Sequence, residues 1–140
     1  MKITFPAYYL SNAGYDVWMG NSRGNTYSKA HTNITASNST FWEFSWHEMG
    51  IYDLPSTIDY VLKFTGQNKL YYVGHSQGTS IFLVMLSEKP EYNEKIHKAV
   101  LLAPLANTTH TRSPIIGVFS KFSTPLYVSY NINLRIEIVF

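Results

Sequence analysis

The stretch from Leu70 to Ser80, "LYYVGHSQGTS", places four residues typical of a strand before Gly-His-Ser-Gln-Gly and the start of an apolar helix. A nucleophile elbow has this order, because it needs a strand, a tight turn that carries the serine, and a helix directly afterwards. Gly74 and Gly78 remove side chains where the strand and the helix approach each other closely. The stretch therefore predicts a nucleophile at Ser76, although a plain glycine turn between strand and helix has the same pattern.

The segments around this turn alternate between helical and strand patterns. The helix before it is predicted to begin at Asp53, as its N-cap, and to end near Gly66. The run "AVLLAPLA" (Ala99 to Ala106) is typical of a strand buried in a parallel sheet. This alternation predicts an α/β fold with a mostly parallel sheet and flanking helices. The other predicted elements are a helix at 6–13, a strand at 15–20, a long polar loop, an aromatic helical turn at 41–49, a strand at 70–73 and a helix at 79–87.

The end of the chain has a different pattern. From Ile132 to Phe140 apolar residues alternate with polar ones, and this period of two predicts a strand where the preceding plan requires a helix or a loop. We therefore divide the chain into a core at residues 1–114, which carries the elbow, and a divergent tail at residues 115–140.

Composition limits the classes of function. The 140 residues suit one domain, and 45% hydrophobic with 14% charged residues indicates a globular protein. The net charge of +2 is not clustered on a basic face, so we expect no nucleic-acid partner. No cysteine is present for a disulfide or a thiolate metal site. No apolar run approaches the ~18 residues of a membrane span, and we see no signal peptide at the N-terminus.

Four segments together resemble the animal acid lipases, the gastric and lysosomal acid lipases of the α/β-hydrolase fold. The similarity is dense from about Pro6 to Pro114. It implies hydrolysis of neutral lipid esters, such as triacylglycerols or cholesteryl esters, with Ser76 as nucleophile and the backbone N–H of Gln77 in the oxyanion hole. It implies no cofactor. The segments are "AGYDVWMGNSRGNTYS" (13–28), "FWEFSWHEMGIYDLPSTIDYVL" (41–62), "YYVGHSQGT" (71–79) and "AVLLAP" (99–104).

The catalytic acid and base are harder to place. In this fold they follow the serine in the order Asp or Glu, then His, and no segment after Ser76 resembles those that carry them in the family. His110, just past the last predicted core strand, is the one sensible local base, with an ordinary loop histidine as the alternative. His97 lies at the opposite end of the sheet, roughly 20 Å away at ~3.3 Å per residue. The remaining histidines are interpreted as structural or loop residues: His31, His47 and His75.

The resemblance also lacks an early part of the fold. A His-Gly loop that supplies the second oxyanion donor is not found, nor is the strand before it, which separates the strands at 15–20 and 70–73 in the family. We therefore expect a gap or exposed edges between these two strands. A truncated family member, from a truncated gene model or an aberrant transcript end, is the resulting hypothesis.

Two acidic groupings have structural explanations. Asp53 is interpreted as a helix cap, Asp16 as part of a strand entry and Asp59 as a helix-surface residue, so a carboxylate site is not predicted. A second grouping resembles zinc ligands but lacks the order His-Glu-x-x-His, so no metal site is predicted. Its members are Glu43, His47 and Glu48.

Other residues have open alternatives. Arg23 is interpreted as a structural ion pair or backbone anchor in preference to a substrate contact. The aromatic residues could line a lipid groove but are mostly assigned to the core: Trp18, Phe41, Trp42, Phe44 and Trp46. Three Asn-x-Ser/Thr triplets are possible N-glycosylation sites and agree with the secreted or lysosomal location that the resemblance implies: Asn33, Asn38 and Asn107.

The leading interpretation is a lipase that acts on neutral lipid esters at a lipid–water interface, through an acyl-enzyme on Ser76. The alternative is a catalytically inactive, truncated lipase-like fragment with a binding role or no independent role, because a serine without a base is a poor nucleophile.

Overall fold

The computed structural model describes residues 6–106 and the backbone of residues 135–139. The helices are α1 (Pro6–Asn12), α2 (Trp46–Glu48), α3 (Leu54–Thr65) and α4 (Gln77–Glu88), and the strands are β1 (Val17–Asn21), β2 (Leu70–His75), β3 (Ile96–Leu102) and β4 (Arg135–Val139). Short 3-10 helices cover Ser39–Trp42 and Pro90–Lys95, and one π-helical turn covers Met49–Asp53. Among the helices so described, none is long and apolar enough to cross a bilayer.

The four described strands form one sheet in the order β1-β4-β2-β3. β2 and β3 are parallel, and β4 is antiparallel to both of its neighbours, so β1 runs in the same direction as β2 and β3. Three strands in one direction with helices between them confirm the predicted α/β class.

The expected gap between β1 and β2 is filled, so that expectation was wrong. β4 lies between them, and Ile138 is paired with Trp18 on one side and with Tyr72 on the other. The alternating pattern near the end of the chain correctly predicted a strand. Because that strand supplies backbone N–H and C=O groups to two open edges, it removes both from solvent. The predicted boundary at residue 114 lies outside the described residues.

The core lies between the sheet and helices α3 and α4. β2 alternates between buried and more exposed residues, with Leu70 and Tyr72 facing the helices and Tyr71 on the other face. The buried cluster comprises Met49, Leu54, Ile58, Leu70, Tyr72, Ile81, Phe82, Met85 and Tyr92. This packing fixes β2 and α4, the two elements on either side of Ser76.

The N-cap assignment of Asp53 was wrong. Its backbone is already helical, with φ −69° and ψ −49°, and its side chain makes no cap hydrogen bond. The π-helical turn runs directly into α3, so the first N–H groups of α3 do not need a side-chain cap. The other end is as predicted, because Gly66 closes α3 in the left-handed conformation at φ 70°.

Two other boundaries differ from the prediction. The helix after the elbow begins at Gln77, two residues earlier than expected, and the strand predicted at 99–106 covers Ile96–Leu102. β3 ends there because Ala103 has φ 49° and Pro104 has no N–H to continue the pairing.

Candidate active site

Ser76 occupies the single residue between β2 and α4, and its backbone is strained. Its φ of 52° and ψ of −115° lie in a region that side-chain-bearing residues seldom adopt. Such a conformation costs on the order of 1–3 kcal/mol and persists only where its surroundings hold it. The Ser76 N–H donates to the Leu102 carbonyl at 2.9 Å, and the Ser76 carbonyl accepts from the Thr79 N–H at 2.9 Å.

The glycines beside Ser76 are required by space. A Cβ on Gly74 would lie 2.7 Å from Cε1 of Tyr72 and 3.1 Å from the carbonyl atoms of Gly78. Gly78 is itself buried in the first turn of α4. The strand and the helix therefore approach each other as closely as the sequence pattern indicates.

Tyr72 packs against the first turn of α4 from the buried face of the sheet. Its hydroxyl donates to the Gly78 carbonyl at 2.7 Å, and its ring stacks on Phe82 with 4.3 Å between ring centroids. Burial raises the pKa of the Tyr72 hydroxyl above its ordinary value. The hydroxyl therefore stays protonated and remains a donor to the helix.

The first turn of α4 also contacts the chain that follows β3. The hydroxyl of Thr79, which is fully buried, donates to the Ser76 carbonyl at 2.6 Å and accepts from the Leu105 N–H at 2.9 Å. The Ser80 hydroxyl donates to the Leu105 carbonyl at 2.6 Å. Both polar groups of Leu105 are therefore bound by adjacent side chains of α4.

Histidines within the described residues are not bonded to the Ser76 hydroxyl. His97 is the second residue of β3, at the amino edge of the sheet, and its ring lies edge-on to Tyr71 at 4.8 Å. Since His75 pairs with Leu102 at the other edge, His97 and Ser76 lie at opposite ends of these strands. His110 lies outside the described residues.

The comparisons with known proteins agree with this geometry. A family model described as the alpha/beta hydrolase fold matches residues 6–124. The chain belongs to the alpha/beta hydrolase fold family. The strained serine between a strand and a helix, the feature just described, is at the place where this fold carries its nucleophile.

Relatives of this family member carry lipase names. It is 58% identical to Lipase 3 of Drosophila melanogaster over 114 residues, which are 81% of this chain and 29% of that protein. Mouse gastric triacylglycerol lipase is 48% identical over 118 residues, which are 83% of this chain and 30% of that protein. Human lysosomal acid lipase/cholesteryl ester hydrolase is 47% identical over 108 residues, which are 77% of this chain and 27% of that protein. The resemblance to the acid lipases is thus confirmed, and the chain spans less than a third of these relatives.

The prediction that Arg23 forms a structural ion pair is confirmed in this α/β-hydrolase-fold chain. Its guanidinium donates to Asp53 from Nε at 2.8 Å and from Nη2 at 2.6 Å, and its backbone N–H donates to the same carboxylate at 2.9 Å. Phe44 and Tyr52 flank the guanidinium at 5.8 and 5.6 Å. Asp53 therefore ties the loop after β1 to the start of α3, which is why it is not available as a cap.

Glu48, from the second acidic grouping, has a structural role in the fold. Glu48 accepts from the N–H and the hydroxyl of Ser45 at 2.6 and 2.7 Å, and Ser45 in turn accepts from the His47 N–H at 3.1 Å. This is a capping box at the start of α2. The hydrogen bonds from Ser45 hold the pKa of Glu48 below its ordinary value.

The glycosylation candidates are only partly described. Asn33 and Asn38 are exposed, and the side-chain oxygen of Asn38 accepts from the Thr40 N–H at 3.0 Å at the start of a 3-10 helix. Asn107 lies outside the described residues. The structure thus brings together Gly74, Ser76, Gln77 and Gly78 at one turn, and Asn33 and Asn38 are not part of that turn.

Two residues of the turn were missed by the sequence analysis. Tyr72 was assigned only to a strand, and Thr79 only to the start of a helix. The periodicity of β2 does place Tyr72 on the buried face, where a hydroxyl needs a partner. Thr79 follows the pentapeptide directly, and a threonine in the first turn of a buried helix is a candidate for a bond to a nearby backbone carbonyl.

Proposed function

We propose that this protein hydrolyses the ester bonds of neutral lipids through an acyl-enzyme on Ser76. The observation that carries the proposal is the backbone of Ser76, with φ 52° and ψ −115°, between a buried strand and the first residue of α4. Support for the substrate class comes from the relatives named gastric triacylglycerol lipase and lysosomal acid lipase/cholesteryl ester hydrolase. Triacylglycerols and cholesteryl esters are accordingly the proposed substrates, at a lipid–water interface.

The proposed reaction has two acyl transfers. The Ser76 oxygen attacks the ester carbonyl while a base takes its proton, and the tetrahedral intermediate expels the alcohol, which receives that proton. Water then attacks the acyl-enzyme and releases the fatty acid with Ser76 restored. The Gln77 N–H, at the start of α4, is the proposed donor to the oxyanion. No cofactor enters these steps.

The base is proposed to come from outside residues 6–106. Apart from backbone bonds within helices and strands, the hydrogen bonds that histidines make within that range are to Asn33 and Ser45, and none is to the Ser76 hydroxyl. His110 is the local candidate, since the chain leaves β3 at the carboxyl edge of the sheet, where Ser76 also lies.

The same observation favours a second candidate function. A serine hydroxyl without a base is a poor nucleophile at neutral pH. If no base is supplied, the chain would be a non-catalytic relative that binds lipid or a partner protein. The turn at Ser76 would then have only a structural role. The two candidates differ in one measurable property, the reactivity of Ser76.

Labelling of the 140-residue chain with a fluorophosphonate probe tests the proposal. We expect one adduct, mapped by mass spectrometry to Ser76, and its loss in Ser76→Ala. The matched control is Ser87→Ala, which changes an exposed serine at the other end of α4 and leaves labelling intact. A folded chain without an adduct at Ser76 would establish the second candidate, and loss of labelling in His110→Ala alone would identify the base.

We further propose that the protein enters the secretory pathway and reaches the lysosome or the extracellular space. The relatives with gastric and lysosomal in their names support this location. Asn33 and Asn38 support it as exposed acceptors, and Asn107 is a third acceptor in the sequence. A mass shift of the secreted chain on treatment with an N-glycosidase is the test, and Asn33→Gln with Asn38→Gln would reduce it.

A further inference from the structure

One buried hydroxyl joins the backbone of the proposed nucleophile to a different segment of the chain. Thr79 Oγ1 donates its single proton to the Ser76 carbonyl at 2.6 Å. The same oxygen accepts from the Leu105 N–H at 2.9 Å. The side chain of Thr79 is fully buried, so water does not compete for either bond.

Hydrogen bonds to the Ser76 carbonyl hold the strained backbone of Ser76 on its C-terminal side. Its direction is set by ψ, which is −115° in Ser76, and Thr79 supplies two donors to it, one from the N–H and one from the hydroxyl. The N–H of Ser76 is held separately by Leu102. Loss of the Thr79 hydroxyl would therefore remove support from one side of the serine while β3 still holds the other.

The segment after β3 depends on the same turn of helix. Leu105 is bound through its N–H to Thr79 and through its carbonyl to Ser80, at 2.9 and 2.6 Å. Ala103, two residues earlier, has φ 49°, a conformation that a residue with a Cβ keeps only when it is held. Thr79 and Ser80 are the side chains that hold this segment against the carboxyl edge of the sheet.

We propose that Thr79 is a positioning residue for Ser76. Its hydroxyl fixes the rotation of the serine backbone and holds the segment from Ala103 to Leu105 in place beside it. This role rests on the proposed function, because the position of the Ser76 backbone affects the labelling rate only if Ser76 is reactive.

The test compares Thr79→Val with Thr79→Ser. Valine keeps the shape and loses the hydroxyl, whereas serine keeps the hydroxyl and loses a methyl group. We expect valine to lower the fluorophosphonate labelling rate at saturating probe by about tenfold, and serine to restore it to within about threefold of wild type. The probe concentration at half-saturation stays unchanged, because Thr79 does not touch the probe.

Thr65→Val is the matched control. Thr65 Oγ1 donates to the Val61 carbonyl at 2.8 Å within α3, so its valine variant also removes a hydroxyl bonded to a carbonyl, at the end of a different helix. We expect its labelling rate to equal that of the wild-type chain. Thermal unfolding of each variant separates slower labelling of a folded chain from loss of fold.

Amide hydrogen exchange at Leu105 tests the structural part without any activity. We expect slow exchange in the wild type and in Thr79→Ser, and fast exchange in Thr79→Val. Equal labelling of the valine and wild-type chains would overturn the proposal. Fast exchange at Leu105 in the wild type would overturn it even if the valine variant does not fold. Slow exchange at Leu105 in a wild-type chain that does not label would instead overturn the proposed function.

Discussion

At the scale of single residues, strain in the described part of the chain is concentrated beside the proposed nucleophile. Two non-glycine residues have positive φ, Ser76 and Ala103, and each directly follows one of the paired strands β2 and β3. The strain at both sites is held by hydrogen bonds to backbone groups, several of which come from α4. This arrangement holds the backbone of Ser76 in a conformation that it would not otherwise keep.

Gly74→Ala is expected to destabilise the protein by about 3 kcal/mol, at the upper end of the cost of overpacking. The new methyl group would lie 2.7 Å from the Tyr72 ring and displace the hydroxyl that binds Gly78. Urea unfolding measures the change.

The matched control for this prediction is Gly66→Ala. Its Cβ would meet no atom within 4 Å, so only the positive φ of 70° opposes it, at about 1 kcal/mol. Equal losses in the two alanine variants would show that Gly74 is not required for close packing.

At the scale of elements, ion pairs and caps decide where the helices begin. The partly buried pair of Arg23 and Asp53, with side chains 33% and 15% exposed, fixes the loop after β1 to the end of the π-helical turn that leads into α3. The capping box of Ser45 and Glu48 starts α2, which passes through the π-helical turn into α3. Both interactions therefore act on one continuous stretch of helix.

Asp53→Asn is expected to cost about 2 kcal/mol, because three hydrogen bonds from Arg23 lose their charged acceptor. Glu94→Gln neutralises an exposed partner of Lys69, 3.9 Å away, and should change stability by less than about 0.5 kcal/mol. Chemical denaturation of both variants in the same buffer measures the difference. A loss as small for Asp53 as for Glu94 would contradict the structural role of the pair.

Glu48 is expected to make stability depend on pH in the acid range. Since its pKa in the folded state is lowered by hydrogen bonds from Ser45, its contribution is complete above its ordinary pKa of 4.5 and is lost as the pH falls through the folded value. Melting curves between pH 6 and pH 3 should show the wild-type advantage over Glu48→Gln shrinking with the pH. Ser45→Ala should show less of this dependence, and an advantage that stays constant to pH 3 would refute the assignment.

The sequence predicted those elements whose patterns are local. The strand, turn and helix around Ser76 follow from residues 70–88, and Gly66 ends α3 because a left-handed residue is needed there. Asp53 was misassigned because its partner Arg23 is thirty residues away and no local pattern pairs them. The role of Thr79 depends on Leu105 in the same way, through a contact between segments.

At the scale of the whole molecule, β4 determines whether the sheet is continuous. β1 and β2 have no pairing with each other in the described sheet, and every backbone link between them passes through Arg135–Val139. The alternation of residues 132–140 predicted the strand, but its partners could not be read from the sequence, since pairing depends on which edges the rest of the fold leaves open.

Ile138→Pro is expected to disrupt this link, because proline cannot donate to a ladder and residue 138 faces strands on both sides. We expect a loss of about 3 kcal/mol or more, or aggregation through the exposed edges of β1 and β2. Ile138→Val keeps the N–H and the branched side chain and serves as the control. Unfolding by denaturant and light scattering are the measurements, and a proline variant as stable as the valine variant would show that β4 is dispensable.

The position of β4 also sets the order in which the protein can fold. Val17 is paired with Val139, so β1 is synthesised more than a hundred residues before its partner. During translation β1 remains unpaired while β2, α4 and β3 emerge and assemble around their own contacts. Because contacts between distant residues form slowly, closure of the sheet should be the late step, and the newly made chain should need protection from association until that step is complete.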